Sequence, residues 1–363
     1  MKISIIVPNL TGGGAEKVAI NLANYYSSLG YKIDLVLFKK YGAYIDLLND
    51  NVNVVDLNIS RSRYSIISVR NYLKKNKTNI ILSVKRDVNI IVGIASFGLN
   101  IKRIFYREAN TLDDVLNMKF ISRMIYLILM KITYLKAKYI IANSNDTKDD
   151  LVKNKIVNEN KIKVIVNPVL PLEYKDLLKM DCSHKWLNNK ELKVILSVGR
   201  LHKQKDFPFL IECFSEVIKH DKLARLVIVG EGDEKEYLLS LIKDLNLNDF
   251  IDIVNFQSNI FPYYMNARIF ALTSKWEGFG NVIVEALSAG TTVVCTNCTG
   301  GPKMILENGK YGHLIELNDK YTFSNILLNE LNNSIKKDDK LINYSEKFTV
   351  QKVAKLYLEL MTN

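Results

Sequence analysis

At 363 residues the chain is too long for one compact core and implies two domains of ordinary size. Its 48% hydrophobic and 24% charged residues exclude a disordered chain, and four cysteines are too few for a disulfide scaffold and fit a reducing cytoplasm. The net charge of +12 sits in one window, where sixteen basic residues face four acids between positions 60 and 140, so an anionic partner is implied, either nucleic acid or a membrane surface.

In chain order, short apolar runs alternate with amphipathic stretches, the pattern of parallel sheets with crossover helices. The N-terminus runs straight into a strand pattern without the form of a signal peptide. Strands are predicted at 2–7, 32–38, 52–57, 80–83, 103–106, 139–142 and 163–166, with a helix over 15–28 closed by Gly30. Asn167-Pro168 ends this series, and a polar, lysine-rich connector follows to about residue 190. The cycle then restarts with strands at 194–198, 226–229, 251–254, 269–273 and 292–295. Helices are predicted around 207–219, 234–245 and 281–289, and a last one over 345–361. Two doubly wound α/β domains result, and ligands of such sheets bind at the carboxyl ends of strands, so a cleft between the domains is expected. No apolar run approaches the roughly 18 residues of a membrane span.

Several residues fall where such sheets hold ligands. Gly12-Gly13-Gly14 follows the first strand and opens a helix, where backbone amides and the helix dipole suit an anion, although a plain flexible turn has the same composition. Gly199-Arg200-Leu201 follows a second-half strand, and Arg200 and Lys205 are placed to neutralise a diphosphate. Trp276-Glu277-Gly278-Phe279-Gly280-Asn281 puts a carboxylate, two glycines and an amide at the opening of a helix that carries Glu285. Phosphates and sugar hydroxyls both suit such a turn. Cys295-Thr-Asn-Cys298 has redox or zinc spacing, but no second ligand pair accompanies it, and a structural strand end is the reading adopted. No D-x-D occurs, so no metal-clamp signature is present and metal-independent chemistry is expected.

Taken together, the ordered motifs resemble those of family-4 retaining glycosyltransferases over essentially the whole chain. They are Gly12-Gly13-Gly14-Ala15-Glu16, Asn167-Pro168, Gly199-Arg200-Leu201 with Gln204-Lys205-Asp206, Val229-Gly230-Glu231-Gly232, Glu277-x7-Glu285-Ala286, Gly290 and Gly300-Gly301-Pro302. The resemblance implies a GT-B fold. Its parts are an acceptor-binding Rossmann-like domain over 1–175, a nucleotide-sugar domain over 190–345, and a C-terminal helix over 346–363 packing back on the first domain.

The resemblance also implies roles. Arg200 and Lys205 bind the donor diphosphate, Glu277 the donor sugar's hydroxyls, and Glu285 the ribose. Gly199 and the turn Gly278, Phe279, Gly280 and Asn281 line the donor, the base lies near Asn255, and Gly13 and Gly14 face the donor phosphate and acceptor. Many relatives carry a first-domain histidine, whereas here His184, His202, His220 and His313 all lie at or beyond the connector. The matching segment is Tyr106–Thr111 with Ala109 at the histidine's place, which leaves Glu108 and Asn110 as sugar contacts. An inverting transferase or a sugar-nucleotide epimerase of the same fold is the enzymatic alternative, and a sugar-nucleotide-binding protein without turnover the other.

The partners expected are a nucleotide sugar, most simply UDP-linked, and a polyprenyl-diphosphate saccharide of the O-antigen, capsule or N-glycan type. The stretch 118–134 mixes aromatic, aliphatic and basic residues as interfacial helices do, while an ordinary core helix has the same pattern. No nucleic-acid-binding motif appears. The basic first domain is therefore expected to attach peripherally to the anionic inner face of a bacterial membrane.

Overall fold

Alternation along the first strand shows how the sheet is built. In β1 (Lys2–Val7), Ile3, Ile5 and Val7 enter one core while Ile6 enters the core on the opposite face. Burial on both faces is why the run is apolar at successive positions from Ile5 to Val7. A computed structural model describes residues 1–59, 64–76, 78–333 and 337–363. Of the basic window, Arg61, Arg63 and Lys77 lie outside the described residues.

The first sheet continues with β2 (Lys32–Leu37), β3 (Asn53–Asp56), β4 (Ile80–Ser83), β5 (Ile104–Glu108), β6 (Tyr139–Ala142) and β7 (Ile162–Val164). Its order is β3-β2-β1-β4-β5-β6-β7 and its pairs are parallel, with Ile5 opposite Leu35 on one side and Leu82 on the other. The second sheet holds β8 (Lys193–Val198), β9 (Ala224–Val229), β10 (Ile251–Val254), β11 (Ile269–Leu272), β12 (Thr292–Thr296) and β13 (His313–Ile315), in the order β10-β9-β8-β11-β12-β13. The sequence pattern did not anticipate β13, since three residues are too few to show a period.

Each sheet reverses its strand order beside its first strand, between β1 and β4 and between β8 and β11. Loops leaving those paired strands at their carboxyl ends diverge to opposite faces and leave a crevice, the place where such sheets hold ligands.

The chain divides into two compact units, Met1–Pro171 with Phe348–Asn363, and Leu172–Lys347. The polar stretch read as a connector packs within the second unit. There the Ser183 hydroxyl lies 3.0 Å from the Tyr263 hydroxyl, and His184 lies 3.1 Å from Asp252. The last helix, Val350–Thr362, belongs to the first unit. Val350, Val353, Ala354, Tyr357 and Met361 join the core beneath the helix Gly14–Ser28, and the Tyr26 hydroxyl donates to the Ala354 carbonyl at 2.8 Å. No helix among the described residues is long and apolar enough to cross a membrane.

Candidate functional site

In the second unit the reversal between β8 and β11 gathers the chemistry that the sequence scatters over 80 residues. Gly199 and Arg200 leave the carboxyl end of β8, and the Gly199 amide donates to the Val229 carbonyl at 3.0 Å. Arg200 is exposed, and among the described residues neither an ion pair nor a side-chain hydrogen bond engages it. Five residues on, Lys205 reaches across to the loop after β11, where its ammonium lies 2.5 Å from Glu277 Oε1. The Ser274 hydroxyl donates to the same oxygen at 2.6 Å. Both side chains of the ion pair are largely buried, 14% exposed for Lys205 and 8% for Glu277, so solvent does little to screen them.

Backbone contacts hold this loop in place. The Lys275 amide donates to the Gln204 carbonyl at 2.8 Å, the Gln204 side chain donates to the Trp276 carbonyl at 2.7 Å, and the Glu277 amide donates to the Thr299 carbonyl at 3.0 Å. Gly300 makes the last approach possible: its φ is +112°, and a Cβ there would stand 1.9 Å from the Glu277 carbonyl oxygen. Gly280, at φ +93°, turns the chain into the helix Asn281–Ser288, which has neither a side-chain cap nor an acid in its first turn. The helix dipole places positive potential at that terminus. Phe279 is buried just before it.

Glu285 lies inside the same helix, 4% exposed, and accepts from the Tyr264 hydroxyl at 3.1 Å. Asn255 follows β10, exposed, with its side-chain oxygen accepting from Lys235 at 2.7 Å. The structure thus brings Gly199, Arg200, Lys205, Glu277, Gly278, Phe279, Gly280 and Asn281 to the loops after β8 and β11. Glu285 stands about one turn into the following helix, and Asn255 after the edge strand of the sheet. Ser274, Tyr264 and Lys235 are what sequence reasoning missed. Only Ser274 had a signal, its position three residues before Glu277. Cys295 and Cys298 are buried free thiols, and burial pushes Cys298 up to about 12 and Cys295 well above the usual thiol range. Among the described residues no group of three or more metal-ligating side chains is assembled.

In the first unit Gly13 precedes and Gly14 begins the helix after β1, and both are exposed. Glu16 is buried below them and paired with Lys85, which follows β4. Glu108 departs from its expected part as a sugar contact. It is fully buried: Arg86 Nε donates to Oε2 at 3.0 Å, while Asn89, at 2.8 Å, and Tyr134 donate to Oε1. Such a carboxylate braces the end of β5 and is not offered to a ligand. Burial works against the Arg86 charge, yet Glu108 and Asp114 raise its pKa above the ordinary guanidinium value. Asn110 is exposed, and its carbonyl accepts from Arg86 at 2.8 Å.

Each half of the chain matches a family model. Residues 12–170 match the model of Glycosyltransferase Family 4, and residues 181–348 match that of Glycosyl transferases group 1. The chain thus carries a Glycosyltransferase Family 4 domain followed by a Glycosyl transferases group 1 domain. A Campylobacter jejuni relative, N-acetylgalactosamine-N,N'-diacetylbacillosaminyl-diphospho-undecaprenol 4-alpha-N-acetylgalactosaminyltransferase, is 28% identical over 88% of this chain and 87% of its own. An Escherichia coli relative, UDP-Gal:alpha-D-GlcNAc-diphosphoundecaprenol alpha-1,3-galactosyltransferase, is 25% identical over 96% of this chain and 95% of its own. Among solved structures, Anabaena HepE in complex with UDP-glucose superposes with a TM-score of 0.84 at 21% identity, covering 100% of this chain and 99% of that one. The likeness places this glycosyltransferase in the GT-B fold.

Proposed function

We propose that the enzyme transfers a hexose or N-acetylhexosamine, with retention and without a metal, from a UDP-sugar to a polyprenyl-diphosphate-linked saccharide in bacterial surface polysaccharide assembly. The observation that carries the donor half is the meeting of Arg200, the Lys205–Glu277 pair and an uncapped helix N-terminus at one sheet reversal. Cations and amide dipoles there suit a diphosphate, and a buried carboxylate beside them suits a sugar hydroxyl. Undecaprenyl-diphosphate glycans are what the names of the two enzyme relatives specify, and UDP-galactose is the donor in one of them, which supports the acceptor class and the base.

In the transfer, the bond between the sugar's anomeric carbon and the diphosphate oxygen breaks as the acceptor oxygen bonds to that carbon from the same face. The acceptor's proton passes to the departing diphosphate oxygen. Arg200 and Lys205 stabilise the charge that develops there, and Glu277 holds the sugar. Retention is favoured by the state of the first-unit carboxylates, because inversion requires a general base for the acceptor. Glu16 is paired with Lys85, Glu108 and Asp114 with Arg86, and Asp113 accepts from the Thr111 hydroxyl at 2.6 Å.

A peripheral station on the anionic inner face of the membrane belongs to the same reading. The helix Phe120–Tyr134 leaves Phe120, Ile121, Met124, Ile125, Ile128 and Ile132 exposed, beside Lys119, Arg123 and Lys131. The test of the whole reading is nucleotide release from UDP-, GDP- and ADP-sugars against polyprenyl-diphosphate glycans, with and without a chelator, and anomeric analysis of the product by NMR. Glu277→Ala is expected to abolish turnover with the fold intact, and near-normal activity in that variant would overturn the site.

A further inference from the structure

We propose that Ser274 is a positioning residue that holds Glu277 so that the carboxylate offers a single oxygen, Oε2, to a single hydroxyl of the donor sugar. The proposal rests on the donor-site reading above and adds how the sugar is read. Glu277 Oε1 receives Lys205 Nζ at 2.5 Å and Ser274 Oγ at 2.6 Å, while Oε2 has no hydrogen-bond partner among the described residues. A carboxylate oxygen accepts about two donors in plane, so Oε1 is filled. A carboxylate that grips two vicinal hydroxyls needs both oxygens, and this one has only one to give.

The arrangement around Ser274 is rigid enough for the task. Ser274 is fully buried, and its carbonyl accepts from the Thr296 hydroxyl on β12 at 2.7 Å. Its neighbour Thr273 donates to the carbonyls of Lys205 and Asp206 at 2.9 and 3.1 Å, so the loops carrying the acid and the base of the pair are tied by backbone as well. The hydroxyl also has a part that Lys205 cannot take. The Lys205 ammonium has three protons, so it can turn one toward a diphosphate while another stays on Oε1, whereas the single proton of the Ser274 hydroxyl is committed to Oε1. When donor binds, Ser274 keeps Oε1 in place and Oε2 stays aimed at the sugar.

The experiment is calorimetric titration of the full chain with UDP and with UDP-galactose and UDP-N-acetylgalactosamine. Ser274→Ala is expected to weaken binding of the sugar nucleotide that the wild type holds by about tenfold, the loss of one hydrogen bond to a charged group, and to change UDP binding less than twofold. A merely structural role moves both equally, and that result overturns the proposal. UDP binding without binding of either sugar nucleotide also overturns it, and failure of UDP to bind the wild type sinks the donor site itself. A second measurement does not depend on how the serine variant folds. Analogues of the bound sugar nucleotide lacking the 3- or the 4-hydroxyl are titrated into wild type and Glu277→Ala. One-oxygen reading predicts that the penalty for deleting one of these hydroxyls disappears in the variant while the other persists. Disappearance of both, or of neither, refutes it.

Discussion

Glu285, proposed to hold the donor ribose, has a partner that no motif marks. The Tyr264 hydroxyl is its hydrogen-bond donor, from a ring that is fully buried and edge-on to Phe270 at 5.4 Å. Tyr264→Phe keeps the ring and deletes only the hydroxyl. The expected result is a KM for the donor raised about three- to tenfold, with kcat within a factor of two, because a hydrogen bond to a ground-state binding group is lost. Steady-state kinetics at varied donor concentration checks it. Glu108 is the opposite case. Removing one member of a buried ion pair strands the other, at a cost of about 3–5 kcal/mol. Glu108→Ala is therefore expected to lower stability in chemical denaturation toward that order, since Arg86 keeps only the exposed Asp114 as counter-charge and Asn89 and Tyr134 lose their acceptor, and a variant of wild-type stability would contradict the bracing role. Sequence order made Glu277, Arg200 and Lys205 legible because each follows a strand end. It could not distinguish Glu108 from them, since Arg86, Asn89 and Tyr134 come to it from other elements.

Among the elements, the loops of the second unit were legible where glycines punctuate them, at Gly278, Gly280 and Gly300, and illegible where side chains tie loops together. Lys337 is such a tie. It donates to the carbonyls of Tyr264 and Ala267 and to the Thr291 hydroxyl at 3.1, 2.9 and 2.8 Å, joining the end of the helix Phe261–Asn266 to the turn before β12. Burial, with some repulsion from Lys190, pulls its pKa down to about 7. An unfolded lysine titrates near about 10.4, so between about pH 7 and 10 the unfolded state binds the extra proton. Stability from this group is then fully present above about pH 10 and is lost as pH falls toward 7. Melting temperatures across pH 7–10 are expected to rise for the wild type relative to Lys337→Met, whose curve lacks that contribution. Parallel curves for the two proteins would show that the ammonium stays charged in the fold. Sequence alone reads Lys337 as one more surface lysine, because the burial comes from residues 46 to 73 positions away.

On the scale of the whole molecule, the two doubly wound sheets were legible because runs buried on both faces have a length and spacing that helices do not share. The division of the chain was less so. A polar, lysine-rich stretch around 172–190 reads as a tether, yet Ser183 and His184 pack it into the second unit. The helix Phe120–Tyr134 is the other place where composition was ambiguous, and its exposure favours the proposed interfacial use. Met130, Thr133 and Tyr134 face the core, while Ile121, Ile125, Ile128 and Ile132 form an outward stripe, 72%, 55%, 49% and 46% exposed. No acid occurs between Asp114 and Asp146, whereas Lys119, Arg123, Lys131, Lys136 and Lys138 do. An apolar stripe flanked mostly by cations, with the exposed Asp87 against Tyr126 as an acid beside it, complements an anionic bilayer surface, each cation near it adding about 1 kcal/mol and the stripe adding burial among the acyl chains. In flotation assays the protein is expected to rise with vesicles containing anionic phospholipid and to stay behind with neutral ones, and raised salt should weaken recovery. Ile125→Ser with Ile128→Ser should reduce recovery several-fold at unchanged melting temperature, since both side chains face outward. Equal recovery with neutral vesicles, or none with either, would remove the charged surface from the function, and full recovery of the double variant would remove the stripe.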